Sequence, residues 1–300
     1  MRSLHSFGAC ALALFFVSLP GSAWALDKQG KPHVFGAEEP DLNLAGALSF
    51  GPALFNPAYA ARPDNTGKAL MRYALHLDLE LLGPRLTLPV DINTFTDRDR
   101  SGFKKLSPTE LDLIAGVAST WPVGPGSLEL SSHAEQDRAL DRHVPIQTYV
   151  DVRSRYLCSA SSIWTQRTRN PLRPDFSAAM TIGWFAYNPS YFARPDNTGR
   201  ALLRYNPHLE FSLYDGALAV GLDATFFTDR KSSALLPSEL DLTPELRGQF
   251  DRYELHLAYE RDMPVDRAGL VQHFAYALAV VNFDFAEDLG GPRPPRERHN

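Results

Sequence analysis

Residues 75–81 read LHLDLEL, with a leucine at every second position and His76, Asp78 and Glu80 between them. Strict alternation places successive side chains on opposite faces of an extended chain, so this segment is a strand with one apolar and one ionisable face. RLTLPVDIN from Arg85, SLEL from Ser127, ALAVGLDATF from Ala217 and YELHLAYE from Tyr253 follow the same period. Helical spacing is not sustained anywhere after the first 25 residues. An all-β chain is the only fold class that fits, and twelve strands are predicted. The first six are 42–55, 68–82, 85–95, 110–121, 127–136 and 144–157. The second six are 175–187, 200–214, 217–227, 239–250, 252–261 and 270–285.

The two sets of six correspond. ARPDNTGKALMRY begins at Ala61 and ARPDNTGRALLRY at Ala193; over Asn56 to Tyr73 and Asn188 to Tyr205, fourteen of eighteen residues are identical. The match runs on without a gap to DINTFTDR from Asp91 against DATFFTDR from Asp223. It then slips by three to pair PTELDL from Pro108 with PSELDL from Pro237, and later EQDRALDRHVPIQ from Glu135 with ERDMPVDRAGLVQ from Glu260. The predicted organisation is two six-stranded repeats, 42–160 and 175–285, joined by a seam at 161–174. Such a unit is far longer than a solenoid turn, so each copy is read as a subdomain.

Connection lengths alternate. Gly83-Pro84 and Asp215-Gly216 join second to third strands, and Pro122 to Gly126 or little more than Asp251 join fourth to fifth. The remaining links, NPAYAARPDNTG, TDRDRSGFKKLSPT and DRALDRH, are long. In an up-and-down meander successive turns fall at opposite ends, so all short turns share one end and all long loops the other. An even strand count returns both termini to the short-turn end.

The N-terminus reads as a secretion signal: Arg2, the apolar run GACALALFFVSLP, and the small-x-small site Ala23-Trp24-Ala25. The run is short of the ~18–20 apolar residues that span a bilayer as a helix. Cleavage after Ala25 is predicted, with 26–41 as a periplasmic N-terminal segment and 286–300, AEDLGGPRPPRERHN, as a disordered C-terminal tail. The formal net charge of −5 lacks the basic surplus that nucleic-acid binding requires, so no nucleic-acid partner is expected. Cys10 leaves with the signal, which leaves Cys158 and no intrachain disulfide.

Alternating strands, short and long turns at opposite ends, an even strand number and an export signal together resemble bacterial outer-membrane β-barrel proteins. The resemblance covers 42–285 and is one of pattern. It implies an up-and-down antiparallel transmembrane β-barrel in the outer membrane of a Gram-negative bacterium, with outer-membrane lipid as its surroundings. Tyr73, Phe95, Trp184, Tyr187, Tyr205, Phe226, Phe283 and Phe285 would then serve the interfacial aromatic girdles. Three features run against the class: the C-terminal tail, the long seam, and Pro89, Pro207 and Pro244 inside predicted strands, where each removes a ladder donor.

Lipid outside would force ionisable side chains inward, since a charge facing hydrocarbon near midplane costs ~2–4 kcal/mol. Arg72, His76, Asp78, Asp91, Asp151 and Arg153, with Arg204, His208, Glu210 and Asp223, are therefore expected to face the lumen. They would form either a constriction of mixed charge selecting a small polar solute, or a set of ion pairs that plugs the barrel. The repeated phrase puts Arg62, Asp64, Asn65, Arg194, Asp196 and Asn197 on long outer loops. Asp97, Arg98, Asp229 and Arg230 are assigned to the next outer loops. DRDRSG from Asp97 has the start of a calcium loop, but the twelfth position is Pro108 and the second copy reads DRKSSA, so it is read as a solvated polar loop. No cofactor or metal is expected. No HExxH, GxSxG, Walker or CxxC pattern occurs, and no enzyme is expected, although a hydrolase assembled from distant strands would leave no such trace. The competing reading is a soluble periplasmic β-protein, two six-stranded barrels binding a small ligand.

Overall fold

The computed structural model describes residues 42–55, 66–82, 85–159, 174–187, 200–230 and 235–285. Twelve strands follow one another along the chain. They are β1 Asn43–Phe55, β2 Ala69–Glu80, β3 Thr87–Asp97, β4 Pro108–Val123, β5 Gly126–Ala139 and β6 Gln147–Ser159. The series continues with β7 Asp175–Tyr187, β8 Ala201–Leu213, β9 Leu218–Asp229, β10 Pro237–Phe250, β11 Tyr253–Pro264 and β12 Gln272–Asp284. A 3₁₀ turn, Gly102–Leu106, lies between β3 and β4. Each strand pairs antiparallel with its sequence neighbours and β1 pairs with β12, so the sheet closes into one ring. Closure satisfies every edge, the condition for a sheet to sit where no water can pair its backbone. The two separate six-stranded barrels of the soluble alternative are thereby replaced by one barrel. A six-stranded half would leave two unpaired edges, and here β6 pairs β7 just as β1 pairs β12.

The prolines enter this ring by giving up one ladder each. Pro207 pairs with Met180 on β7, while on the β9 side pairing passes from Tyr205–Phe226 to His208–Asp223. Pro244 pairs with Leu222 on β9, and the β11 ladder passes from Leu242–Arg261 to Glu245–Ala258. Pro89 likewise keeps Asp78 on β2 and drops out of register with β4. A missing donor costs only the neighbour it would have faced, so a closed sheet tolerates it where one side stays paired.

Turn chemistry matches the connections. Tyr214, Asp215 and Gly216 all have positive φ (55°, 58° and 89°) in the tight β8–β9 turn, and Asp251 has φ 54° between β10 and β11. Gly67, inside the repeated phrase, has φ 66°, a backbone that glycine adopts without Cβ strain.

The signal, the 26–41 segment, the C-terminal tail and all of the seam but Pro174 lie outside the described residues. So do Arg62, Asp64, Asn65, Arg194, Asp196 and Asn197.

Candidate functional site

The pairing registers fix which side chains share a face, because directly paired residues point the same way. Ala47 pairs His76, His76 pairs Asp91, and Asp91 pairs Ile114, which pairs Glu135. Glu135 pairs Tyr149, and Tyr149 pairs Tyr187. In the other half Gly183 pairs Arg204, His208 pairs Asp223, Asp223 pairs Thr243, and Glu245 pairs Ala258, which pairs Tyr276. Tyr276 pairs Ala53 and closes the circuit. All ten residues expected at the lumen lie on this one face.

The opposite face is apolar. Leu48, Phe50, Leu130, Val152, Ile182, Leu209, Val220, Leu222, Leu246 and Leu255 are large, exposed and on the outer parity of their strands. Aromatic side chains gather at the two ends of that face. Tyr73, Trp184, Tyr205 and Phe226 sit towards the long loops, and Trp121, Phe176, Phe211, Phe250, Tyr253 and Phe283 towards the short turns. Rings at both ends of an apolar belt suit the two interfaces of a bilayer. Two expected girdle residues belong elsewhere: Phe95 pairs Arg72 and Tyr187 pairs Tyr149, so both point inward. Their places at strand ends suggested the girdle; their parity decides otherwise.

Inside, histidines bind to carboxylates. His76 Nδ1 lies 2.7 Å from Asp91 and its Nε2 2.9 Å from Asp78, so one ring bridges two acids. His208 in the second half lies 3.1 Å from Asp223, while Glu210 receives Arg247 at 2.5 Å. Asn206 donates to Asp223 at 3.3 Å and to Thr225 at 2.8 Å. On the sixth strand, fully buried Asp151 accepts from Arg153 and lies 3.2 Å from His133. His256 lies 2.9 Å from Glu245, and Tyr149 donates to Glu135.

The two repeated arginines are placed alike and partnered differently. Arg72 donates to Asn93 at 2.8 Å, and its guanidinium carbon lies 5.4 Å from the Tyr276 ring and 6.0 Å from Phe95. Gly51 pairs Arg72 from β1, the strand that stands between β2 and β12. Arg204 lies 6.0 Å from Phe227 and has neither an amide acceptor nor a second ring to bind among the described residues. Both arginines lack an ion pair among those residues and keep a buried Nε without a hydrogen-bond partner.

Two cavities open beside Arg204. The first, about 310 Å³, is walled by Asp223, Asp241, Glu245 and Glu260, with Tyr276 at its far side. The second, about 260 Å³, is walled by Arg153, Arg155, His208 and Glu129; both share Arg204, Asn206 and Asp223. Glu129, Asp241, Glu245 and Glu260 were not among the residues expected from sequence. Their parity within correctly placed strands was the signal that could have found them.

The outer-end residues are structural. Asp97 and Asp229 are the last residues of β3 and β9 and are buried, where loop residues were expected. Asp97 accepts the Asp99 amide at 2.7 Å, and Asp229 takes the Arg200 guanidinium at 3.3 and 2.7 Å. Arg98 and Arg230 continue the ladders by donating backbone amides to Lys68 at 3.0 Å and Arg200 at 3.1 Å. Hydrogen bonding between exposed Lys68 and Asp99 raises the lysine pKa and lowers that of the carboxylate. Among the described residues no group of three or more His, Cys, Asp or Glu is arranged to hold a metal ion.

No protein-family model matches the chain, and no curated protein matches it by sequence. Several solved structures are similar. The KdgM porin aligns over 79% of this chain and 99% of its own, at 6% identity and TM-score 0.46. An outer-membrane channel from Pseudomonas putida F1 aligns over 84% and 99%, at 12% identity and TM-score 0.41. A mutant Rh. blastica porin aligns over 81% and 100%, at 9% identity and TM-score 0.31. At these scores the likeness carries no residue-level inference, and the chain's own geometry has to supply it.

Proposed function

We propose that the chain is an integral outer-membrane barrel serving as a narrow channel for small polar solutes. One observation carries the reading: on most strands of the ring, β12 excepted, ionisable side chains share the enclosed face and large apolar ones the exposed face. A water-soluble barrel would need the reverse, because exposing that much contiguous apolar surface to water is costly. The export signal predicted at the N-terminus agrees with this destination. Paired charges such as His76 with Asp91 and Arg247 with Glu210 narrow the interior without filling it, leaving the two cavities beside Arg204.

Reconstitution of folded chain into planar bilayers tests the channel. Discrete conductance steps from material with heat-modifiable gel migration are expected. A folded, inserted barrel that passes no current removes the channel and leaves a closed barrel that displays its loops.

A further inference from the structure

The chemistry of the lumen is uneven, and the unevenness points to a class of solute. Among the described strands the inward cations other than histidine are Arg72, Arg153, Arg155, Arg204 and Arg247. Three of them, Arg153, Arg155 and Arg204, line the same cavity. Arg153 is occupied by Asp151 and Arg247 by Glu210. Arg155, which Glu129 faces across the ladder, and Arg204 make no ion pair among the described residues, and the Arg204 Nε, like that of Arg72, is buried and unsatisfied. A buried guanidinium without an acceptor is costly, and a carboxylate is the partner whose geometry its forked donors match. Immediately across Asp223, which both cavities share, the wall becomes acidic, with Asp241, Glu245 and Glu260. The adjoining cavity of about 310 Å³ corresponds to the volume of on the order of ten water molecules.

We propose that these joined cavities form a binding subsite for an amino-acid-like zwitterion. Its carboxylate seats on Arg204 and Arg155, and its ammonium group faces Asp223 and Glu245, each of which holds its histidine through one oxygen only. The proposal deepens the channel reading, since it takes the inward face as a solute path. It separates solutes by charge arrangement: a cation alone leaves Arg204 unpartnered, and an anion alone must pass the acidic wall.

The test measures binding to the full chain folded in detergent micelles, which works whether or not the barrel conducts. Alanine is compared with alaninamide, which lacks the carboxylate, and with lactate, which lacks the ammonium group. Alanine is expected to bind roughly tenfold more tightly than either, the loss expected for one charge-assisted contact. Arg204→Gln and, independently, Arg155→Gln are expected to bring alanine down to the level of alaninamide; if one variant fails to fold, the other decides. Equal binding of alanine and alaninamide, or full alanine preference retained in a folded Arg204→Gln barrel, overturns the subsite. Binding as expected with no alanine flux into vesicles keeps the subsite and removes the channel; flux without preference does the opposite.

Discussion

β6 and β12 occupy corresponding places, each the last strand of its six, and their inward faces have become unlike. β6 presents Tyr149, Asp151, Arg153 and Arg155, whereas β12 presents Phe274, Tyr276, Leu278 and Val280. Both stand one strand away from an arginine of the repeated phrase, across a glycine: Gly183 before Arg204, and Gly51 before Arg72. On the β12 side the arginine meets the Tyr276 ring and is stabilised by cation–π attraction. On the β6 side the neighbouring wall adds two more arginines, Asp151 is already held by Arg153, and Arg204 makes no ion pair among the described residues. Although each arginine keeps a buried Nε without a partner, the same backbone framework carries one flank whose arginine has an amide and a ring to bind and another crowded with further guanidinium groups. The second is where a solute has something to gain.

The sharpest break in that comparison is Asp151→Leu. It strands Arg153 and His133 beside a leucine, and removing one partner of a buried pair costs about 3–5 kcal/mol, read from urea unfolding in lipid vesicles. Next comes the glycine of the other flank. A Cβ at Gly51 would stand 1.8 Å from the backbone oxygen of Ala277, so Gly51→Ala is expected to cost about 1–3 kcal/mol or to block insertion. Tyr276→Leu, the β12 counterpart of the aspartate change, removes the aromatic face beside Arg72 and the ring contacts with His256 and Phe274, and about 1–2 kcal/mol is expected in the same assay. At Gly183 the nearest atoms are the Arg153 side chain and the Val152 backbone oxygen, both at 3.3 Å, so Gly183→Ala needs a shift of only a few tenths of an ångström and should cost about 1 kcal/mol or less. Smallest of all, Arg204→Gln should leave stability within about 0.5 kcal/mol of the parent, because it removes a group that gains no ion pair among the described residues. A large loss there would mean that Arg204 holds the fold together and that the two flanks are alike after all.

The barrel was legible because its strands announce themselves twice, by period and by repetition. LHLDLEL and ALAVGLDATF alternate cleanly, and all twelve strands overlap their expected spans, with ends shifted by up to three residues. β5 shows where this stops. Its outward residues Ser132, Ala134 and Gln136 are small or polar, so the inward His133 and Glu135 do not stand out from their own strand, whereas Glu129 is readable between Leu128 and Leu130. β10 had clean alternation, with Leu240, Leu242 and Leu246 outward, so the wall residues Asp241 and Glu245 were readable there and simply lay beyond the repeated phrase. The partnership between Arg72 and Tyr276 was not readable at all, since it depends on closure bringing β12 beside β1. Likewise Asp97 and Asp229 look like loop acids in sequence, because only the ladder reveals that each strand runs on through its aspartate.

Membrane residence and the solute path both depend on which side of each strand meets hydrocarbon, and two adjacent residues of β9 report it most directly. Nitroxide labels introduced through Leu222→Cys and Asp223→Cys, in a Cys158→Ser background reconstituted in vesicles, separate the two environments by their collisions with lipid-soluble oxygen and with a water-soluble nickel complex. Oxygen should dominate at position 222 and nickel at 223. The opposite assignment, or equal exposure of both positions to nickel, would place water on the leucine face and contradict the barrel as a membrane channel.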